Sequence, residues 1–229
     1  MLSDPLVVEA VAAAGFDFVG IDLQHGVHTA ESAVHALQVL NFAGVLTYVR
    51  ATADQTDELA RMLDFGAAGF ILAMVDTPEE EAVSVARTRY QPLGKRSYAG
   101  QRFGLRSEPP DPRDLAPEVH VMIETRAALS AIEEIAAVPG LSGLFAGPVD
   151  LGLALNLPFP AKRDEFGYRE ALASITSAAE HHGLVAGSFA TNGGDVAYWL
   201  QLGFNMVVVA SDVSIMREGL AQHLTAARR

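Results

Sequence analysis

Short apolar runs alternate along this chain with longer stretches in which apolar residues recur every three or four positions. Runs of the first kind predict buried strands, and stretches of the second kind predict amphipathic helices. The predicted strands are Phe18–Asp22, Leu46–Arg50, Gly69–Ala73, Val119–Glu124, Gly143–Ala146, Leu184–Ser188 and Met206–Ala210. The predicted helices lie near Leu6–Ala14, Ala30–Phe42, Gln55–Phe65, Pro78–Tyr90, Thr125–Val138, Glu165–His182, Gly194–Leu202 and Ser214–Thr225.

This alternation indicates parallel strands joined by crossover helices. Seven strands with eight helices favour an α/β fold of the (β/α)₈ barrel type over an open sheet. The chain begins in a helix, so we expect the first barrel strand to be missing from it. That strand would lie upstream in the natural protein, or residues 1–5 or a neighbouring subunit would take its place. We expect one domain over residues 1–229 and a subunit contact near Leu6–Ala14.

Composition narrows the class of protein. No apolar run approaches the ~20 residues that span a bilayer, and the N-terminus lacks the basic segment of a signal peptide. The absence of cysteine excludes disulfides and thiolate chemistry and fits a cytoplasmic location. A net charge of −12 argues against nucleic acids and anionic membranes as partners.

Two carboxylates stand just beyond the ends of consecutive predicted strands. Glu124 ends one run, and Asp150 follows the next after a Gly-Pro turn. The carboxyl ends of parallel strands are where α/β proteins bind ligands, and two hard oxygen ligands suit Mg²⁺ or Mn²⁺. Alone, Glu124 could stabilise a helix N-terminus and Asp150 could be the N-cap of a turn from Leu151. Because they occupy equivalent positions, we favour a shared metal site.

Further polar residues follow the first two strands. Asp22, Gln24 and His25 come after the run FVGID, and Arg50 ends the run LTYVR. A carboxylate three residues before a histidine can hold one ring nitrogen and leave the other to act as a general base. The arginine can bind a carboxylate or polarise a carbonyl oxygen. The alternatives are a solvent-facing histidine and an arginine that merely pairs with a barrel carboxylate.

The segment Gln91–Pro117 reads as a long loop. It is rich in proline and glycine and holds the most basic stretch of the chain, with Lys95, Arg96, Arg102 and Arg106. Long loops in compact domains are commonly functional or contact a partner subunit. An ordinary solvated surface loop is the alternative.

Several segments, taken in order, resemble the HpcH/HpaI aldolase family of metal-dependent, class II pyruvate aldolases. They are FDFVGIDLQHG, VRATADQTDELARMLDFGAAGFILAMVDTPEEE, RYQPLGKRS, VMIET, GLFAGPVDL and LGFNMVVVASD. The similarity covers nearly the whole chain, and the IET and GPxDL motifs combined with D-x-x-H are specific to that family. It implies a barrel of the phosphoenolpyruvate/pyruvate type that resembles the 2-keto-3-deoxy sugar acid and 4-hydroxy-2-oxo acid aldolases.

The resemblance also implies a mechanism. Glu124 and Asp150 would hold a divalent metal (Mg²⁺, Mn²⁺ or Co²⁺) that pyruvate chelates. Arg50 would stabilise the enolate, and His25, supported by Asp22, would move protons. The reaction would be reversible retro-aldol cleavage of a 4-hydroxy-2-oxo acid to pyruvate, or hydroxypyruvate, and an aldehyde.

Other features implied by the resemblance concern the substrate and the assembly. The expected partners are small ketoacids and aldehydes together with further copies of the chain, as a hexamer or trimer. Many relatives have Glu where this chain has Gln24 and Gln where it has Met122, which removes a polar group from the pocket floor. The expected substrate contacts are Arg50, Gln24, Gly147, Pro148 and Val149.

Two other functions compete with the aldolase. Citrate lyase β-like enzymes, which act on CoA thioesters, share the fold and the acidic pair; they would need basic residues for the CoA phosphates. The other competing function is that of a non-catalytic barrel that binds ketoacids. A Schiff-base mechanism is disfavoured, because Lys95 and Lys162, the only lysines, both lie in predicted loops.

Overall fold

The computed structural model describes residues 2–99, 105, 111–161 and 165–228, with the backbone alone at 56 and 57. Within them, seven parallel strands pair in chain order and curl into a nearly closed barrel. This confirms the predicted fold class and the number of strands. The strands are β1 (Phe18–Asp22), β2 (Leu46–Thr52), β3 (Gly69–Ala73), β4 (Glu118–Ile123), β5 (Gly143–Ala146), β6 (Val185–Phe189) and β7 (Met206–Val208).

Helices connect the strands and cover the outside of the sheet. Several begin at side-chain caps, such as Thr29 before the second helix and Thr77 before the fourth. The helices are α1 (Pro5–Ala13), α2 (Ala30–Phe42), α3 (Thr56–Asp64), α4 (Pro78–Thr88), α5 (Arg126–Ser130), α6 (Ile132–Ala136), α7 (Pro148–Ala154), α8 (Phe166–His182), α9 (Val196–Gln201) and α10 (Asp212–Ala227). No helix within the described residues is long and apolar enough to cross a membrane.

Near the predicted site, one expectation was wrong and one alternative for Asp150 is excluded. The helix predicted over Thr125–Val138 is divided into α5 and α6 at Ala131, whose φ of −100° and ψ of 19° interrupt the helical backbone. The segment after Gly147 is a full helix, α7, that starts at Pro148. Asp150 therefore lies inside the first turn of α7 and is not an N-cap.

The side chains of each strand alternate between two apolar layers. The larger layer lies between the sheet and the helices and includes Leu72, Leu144 and Ile175. The smaller layer lies inside the barrel and consists of Tyr48, Ile71, Ala73, Met122, Phe145 and Met206. Arg50 and Glu124 follow Tyr48 and Met122 at two-residue spacing, so they continue these interior rows at the carboxyl ends of the strands.

The barrel has one open side, because β1 and β7 each pair with a single neighbour among the described strands. Residues 2–5 form no eighth strand. The segment that precedes α1 approaches the start of α10, where the N–H of Leu2 donates to Asp212 Oδ2 at 2.7 Å. The subunit contact expected near Leu6–Ala14 stays a prediction.

The structure describes only parts of the basic loop, so its expected role in function or in a subunit contact stays a prediction. Its described parts contain a short 3₁₀ helix, Pro112–Asp114. The side chain of Arg96 is 1% exposed. Its guanidinium pairs with Asp64 at 2.7 Å and lies 4.6 Å from the centre of the Tyr90 ring. Arg96 therefore fastens the loop to α3. Lys95 is exposed, and the predictions for Arg102 and Arg106 fall outside the described residues.

Candidate active site

An arginine–aspartate pair stands at the carboxyl ends of β1 and β2. Asp22 and Arg50 are register partners in the parallel pair. Arg50 donates from Nε to Asp22 Oδ1 and from Nη2 to Asp22 Oδ2, both at 3.1 Å. This two-pronged geometry fixes the plane of the guanidinium. It occupies two of the five guanidinium N–H groups and leaves Nη1 for a ligand.

The Asp22 carboxylate also orders the loop that carries His25. Its Oδ1 accepts the backbone N–H of Gln24 at 3.0 Å and that of His25 at 3.1 Å. Burial opposes ionisation of Asp22, but Arg50 and these N–H groups together bring its pKa below the ordinary value. The carboxylate was expected to hold the imidazole. Instead it holds the main chain of His25, a residue that is exposed to solvent.

Glu124 is a buried carboxylate that directly follows β4. The residue is 3% exposed, and its Oε1 accepts the backbone N–H of Met74 at 2.9 Å. Burial raises the pKa of Glu124; the charge of Asp150 raises it further, whereas the Met74 N–H, Arg50 and His25 lower it. Glu124 therefore shares one electrostatic environment with three other predicted site residues.

Gly147 brings the end of β5 against Glu124. A Cβ at this position would lie 2.4 Å from Glu124 Oε2 and 3.0 Å from Met122 Cε, so any larger residue would displace the carboxylate. Helix α7 starts at the next residue, and Asp150 stands exposed in its first turn. One carboxylate is thus buried in the barrel mouth and the other faces solvent above it.

A cavity of about 460 Å³ opens at this mouth and extends toward the open side of the barrel. Six of the predicted site residues line it, namely Asp22, Arg50, Gly147, Pro148, Val149 and Asp150. Glu124 and His25 are not lining residues but are coupled to the site by charge. Gln24 is placed through its backbone, and its side chain is not part of the lining. Much of the wall is apolar, with Ile71, Phe145 and Phe189.

Sequence reasoning missed the role of the segment after β3. Met74 has a left-handed backbone with φ of +57°, which is uncommon for a residue with a side chain. Its N–H is the donor to Glu124. Two residues on, Asp76 accepts a hydrogen bond from Thr125, the residue next to Glu124. The sequence signals a role for Met74 and Asp76 only through their position just after a predicted strand.

The donor set fits a divalent cation. Asp150 is close enough for its charge to oppose the ionisation of Glu124, and a bound cation removes that repulsion. Both offer hard oxygen atoms, the ligands that Mg²⁺ and Mn²⁺ prefer. Glu124 Oε1 is held by the Met74 N–H. Such an ordered second interaction is what a metal-binding carboxylate needs.

Comparison with known proteins identifies relatives of the chain. The family model described as HpcH/HpaI aldolase/citrate lyase matches residues 1–218. A 5-keto-4-deoxy-D-glucarate aldolase from Klebsiella pneumoniae is 31% identical, covering 94% of this chain and 85% of its own. A hydroxypyruvate/pyruvate aldolase from Rhizorhabdus wittichii is 31% identical, covering 99% and 91%. The crystal structure of an HpcH/HpaI aldolase from Desulfitobacterium hafniense matches with a TM-score of 0.89 at 26% identity, over 100% of this chain and 90% of the other.

Proposed function

The chain belongs to the HpcH/HpaI aldolase/citrate lyase family, and we propose that it is a divalent-metal-dependent aldolase. Its proposed reaction is reversible cleavage of a 4-hydroxy-2-oxo acid to pyruvate, or hydroxypyruvate, and an aldehyde. Relatives named as a hydroxypyruvate/pyruvate aldolase and as 5-keto-4-deoxy-D-glucarate aldolases support this class of substrate. We further propose that residues 1–229 form one domain and that the enzyme is a homo-oligomer.

One observation carries the proposal. At a single barrel mouth, buried Glu124 stands beside exposed Asp150 and near an Arg50 whose guanidinium is held by Asp22. These residues supply the two needs of the reaction, which are oxygen ligands for a cation and a fixed positive group for the developing negative charge. Held by Glu124 and Asp150, the divalent ion would act as a Lewis acid toward the 2-oxo acid.

Arg50 has a separate task in the proposed reaction. Cleavage of the C3–C4 bond leaves negative charge on the enolate oxygen of the product. Because Asp22 fixes the guanidinium plane, the remaining N–H groups of Arg50 are ordered before the substrate arrives. Donors that need no reorganisation during the reaction stabilise such charge most strongly. Arg50 is therefore the proposed enolate-stabilising group.

His25 is the proposed proton carrier. A base must take the proton of the C4 hydroxyl as the C3–C4 bond breaks, and a proton must return to C3 of the enolate. Asp22 fixes the main chain of His25, and the residue remains exposed, so its ring can exchange protons with solvent. The charge of His25 reaches Glu124, which supports a position at the edge of the site.

A pyruvate-release assay tests the function. Chelator-treated protein would be incubated with a panel of 4-hydroxy-2-oxo acids and with Mg²⁺, Mn²⁺ or Co²⁺, with Glu124→Gln as the matched inactive control. We expect release of pyruvate or hydroxypyruvate only when metal and native Glu124 are both present. Release that is equal in the variant, or none with any substrate and metal, would contradict the proposal.

The CoA-thioester lyase is the second candidate, since the family description includes citrate lyase. Arg96 is buried against Asp64 and cannot bind a CoA phosphate. In the described part of the basic loop, Lys95 is exposed, and the exposed Arg113 pairs with Asp111. The relatives named as aldolases lead us to favour the aldolase over both the thioester lyase and a non-catalytic barrel. Adding acyl-CoA substrates to the assay separates these functions.

A further inference from the structure

A second group of potential metal ligands lies on the outer helical layer. Glu133 of α6 and the adjacent pair His181 and His182 at the end of α8 each offer one ligand atom, and these atoms lie within 4.8 Å of one another. Helix α8 ends just before β6 begins, so its last turn is at the amino end of the barrel. The active-site carboxylates lie at the carboxyl ends of the strands. The two sites are therefore on opposite faces of the molecule.

We propose that Glu133, His181 and His182 bind one Zn²⁺ ion, or a chemically similar transition-metal ion, at a site separate from the aldolase centre. His182 Nε2 lies 3.0 Å and His181 Nδ1 lies 3.3 Å from the same oxygen, Glu133 Oε2. Ligand atoms in a tetrahedral zinc site are about 3.3 Å apart, given metal–ligand bonds of about 2.0–2.1 Å. The existing spacing is thus close to what zinc requires.

The end of α8 favours a cation at this position. The last turn of a helix carries partial negative charge from its unpaired carbonyl groups. Gly183, with φ of +67°, terminates the 17-residue helix directly after the two histidines. A cation held by His181 and His182 would therefore lie beside the negative end of a long helix as well as next to the Glu133 carboxylate.

The ligand types separate this site from the one in the barrel mouth. Two imidazoles and one carboxylate suit Zn²⁺, Co²⁺, Ni²⁺ or Cu²⁺, whereas Mg²⁺ prefers oxygen ligands. Glu124 and Asp150 offer oxygen alone. An excess of Mg²⁺ can therefore occupy the carboxylate site without filling the imidazole site, which makes the two experimentally distinct.

Binding at this site would join two helices of the outer layer. Helix α8 packs against β5 and β6, and α6 packs against α8. A metal ion that links Glu133 to His181 and His182 would hold α6 to α8 and so brace the part of the barrel that carries Asp150. The proposed role is structural, so cleavage activity measured with Mg²⁺ should not depend on it.

Equilibrium dialysis tests the proposal. The chelator-treated full chain is dialysed against low-micromolar Zn²⁺ in the presence of excess Mg²⁺, and bound zinc is counted per chain by mass spectrometry. The variants are Glu133→Gln and His181→Ala/His182→Ala, and the matched control is His223→Ala, an exposed histidine of α10. Alanine is a strong helix former, and circular dichroism confirms that each variant is folded.

The expected result is one zinc ion fewer per chain in Glu133→Gln and in the double histidine variant, and no change in His223→Ala. Zinc should also raise the melting temperature of the wild-type chain but not that of Glu133→Gln. Equal zinc counts in all four proteins would overturn the proposal. This outcome would leave the aldolase proposal untouched, because that proposal is measured by product release and not by zinc binding.

Discussion

Glu124 and Asp150 are the same kind of group in two different environments, and the difference defines what each can do. Glu124 is 3% exposed and held by the Met74 N–H, whereas Asp150 faces solvent. A buried, ordered carboxylate fixes the place of a cation. An exposed one can admit the ion and complete its coordination without a large desolvation cost. Both residues are therefore expected to be necessary, for different reasons.

The first prediction concerns these two residues. Glu124→Gln and Asp150→Asn should each abolish metal-dependent cleavage, because each replacement removes one anionic oxygen from the ion. The fold should survive, since the Gln carbonyl can still accept the Met74 N–H and position 150 is exposed. Pyruvate release against metal concentration measures the effect, with exposed Glu170→Gln as the control. Full activity of either variant at low metal concentration would refute the assignment.

The second prediction separates Arg50 from Asp22. Arg50→Met should lower kcat by roughly 10²–10³, the range found when one oxyanion donor is lost. Asp22→Asn keeps the guanidinium but weakens its alignment, because the Asn side chain can accept only one of the two hydrogen bonds from Arg50. Its kcat should fall less than that of Arg50→Met. A larger loss in Asp22→Asn would mean that Asp22 itself takes part in proton transfer.

The third prediction concerns Glu81, a carboxyl group in α4 with 0% exposure. Among the described residues neither of its oxygens has a hydrogen-bond partner, and burial raises its pKa to about 8. Because the pKa is raised on folding, the free energy of unfolding should fall as the pH rises from about 4.5 to 8, by up to roughly 4–5 kcal/mol.

Urea denaturation at several pH values measures this effect. Glu81→Gln should flatten the profile over that interval and be more stable than the wild type at pH values above 8, whereas exposed Glu79→Gln in the same helix should not. Parallel profiles for the wild type and Glu81→Gln would show that the carboxyl group has a partner in the native protein.

Residue identity predicted the residues of the candidate site but not the contacts between them. Asp22, Arg50, Glu124 and Asp150 could be predicted because each follows an apolar run. The Asp22–Arg50 pair required the register between β1 and β2, which no single strand contains. The Met74 N–H could not be predicted either, because a left-handed backbone is signalled by glycine or asparagine and here is occupied by methionine.

Among the elements, the long helix α8 shows how one residue sets a boundary. Gly183 ends it in the left-handed conformation, with φ of +67° and space around its Cα. Gly167, at the start of the same helix, has ordinary helical geometry and also has space. The two positions therefore differ in backbone conformation and not in packing.

The fourth prediction uses this pair. Gly183→Ala should lower the free energy of unfolding by about 1 kcal/mol, since a left-handed backbone costs roughly 1–2 kcal/mol for a residue with a Cβ. Gly167→Ala should raise it by about 0.4–1 kcal/mol, because alanine restricts the unfolded chain. Chemical denaturation measures both values. Equal effects of the two substitutions would show that helix α8 does not end where the structure places its end.

The errors at the element scale have local causes. The predicted helix over Thr125–Val138 has an unbroken apolar period, and alanine at position 131 does not signal a break. The helix α7 is short, and the Gly147-Pro148 pair at its start is typical of a turn. The signal for this helix is a proline at its first position, followed by the apolar Leu151 and Leu153.

At the scale of the whole molecule, the alternation of strands and helices predicted the barrel, and the barrel brings the residues of the candidate site together. Asp22, Arg50, Glu124 and Asp150 are spread over 129 positions but sit at or just beyond the carboxyl ends of four strands of one sheet, β1, β2, β4 and β5. The cavity reaches from this end to the open side between β1 and β7. The number of strands predicted the open side of the barrel. The residues that line the cavity there could not be predicted, because they depend on how α1 and α10 pack.

The last prediction links metal binding to the stability of the whole chain. Glu124 and Asp150 come from different elements and meet only in the folded protein, so a cation that needs both binds the folded state alone. At a Mn²⁺ concentration 100 times Kd, binding adds about 2.7 kcal/mol to the free energy of unfolding. For a chain of 229 residues, this raises Tm by roughly 5–10 °C.

Thermal unfolding with Mn²⁺ and then with excess chelator measures this shift, which the chelator should reverse. Asp150→Asn should show no shift. Without metal, Glu124→Gln should melt above the wild type, because it removes a buried charge that Asp150 repels. Glu133→Gln should keep the full Mn²⁺ shift, since Glu133 lies at the other end of the barrel. A Mn²⁺ shift that persists in Asp150→Asn would mean that the stabilising ion binds elsewhere than the barrel mouth.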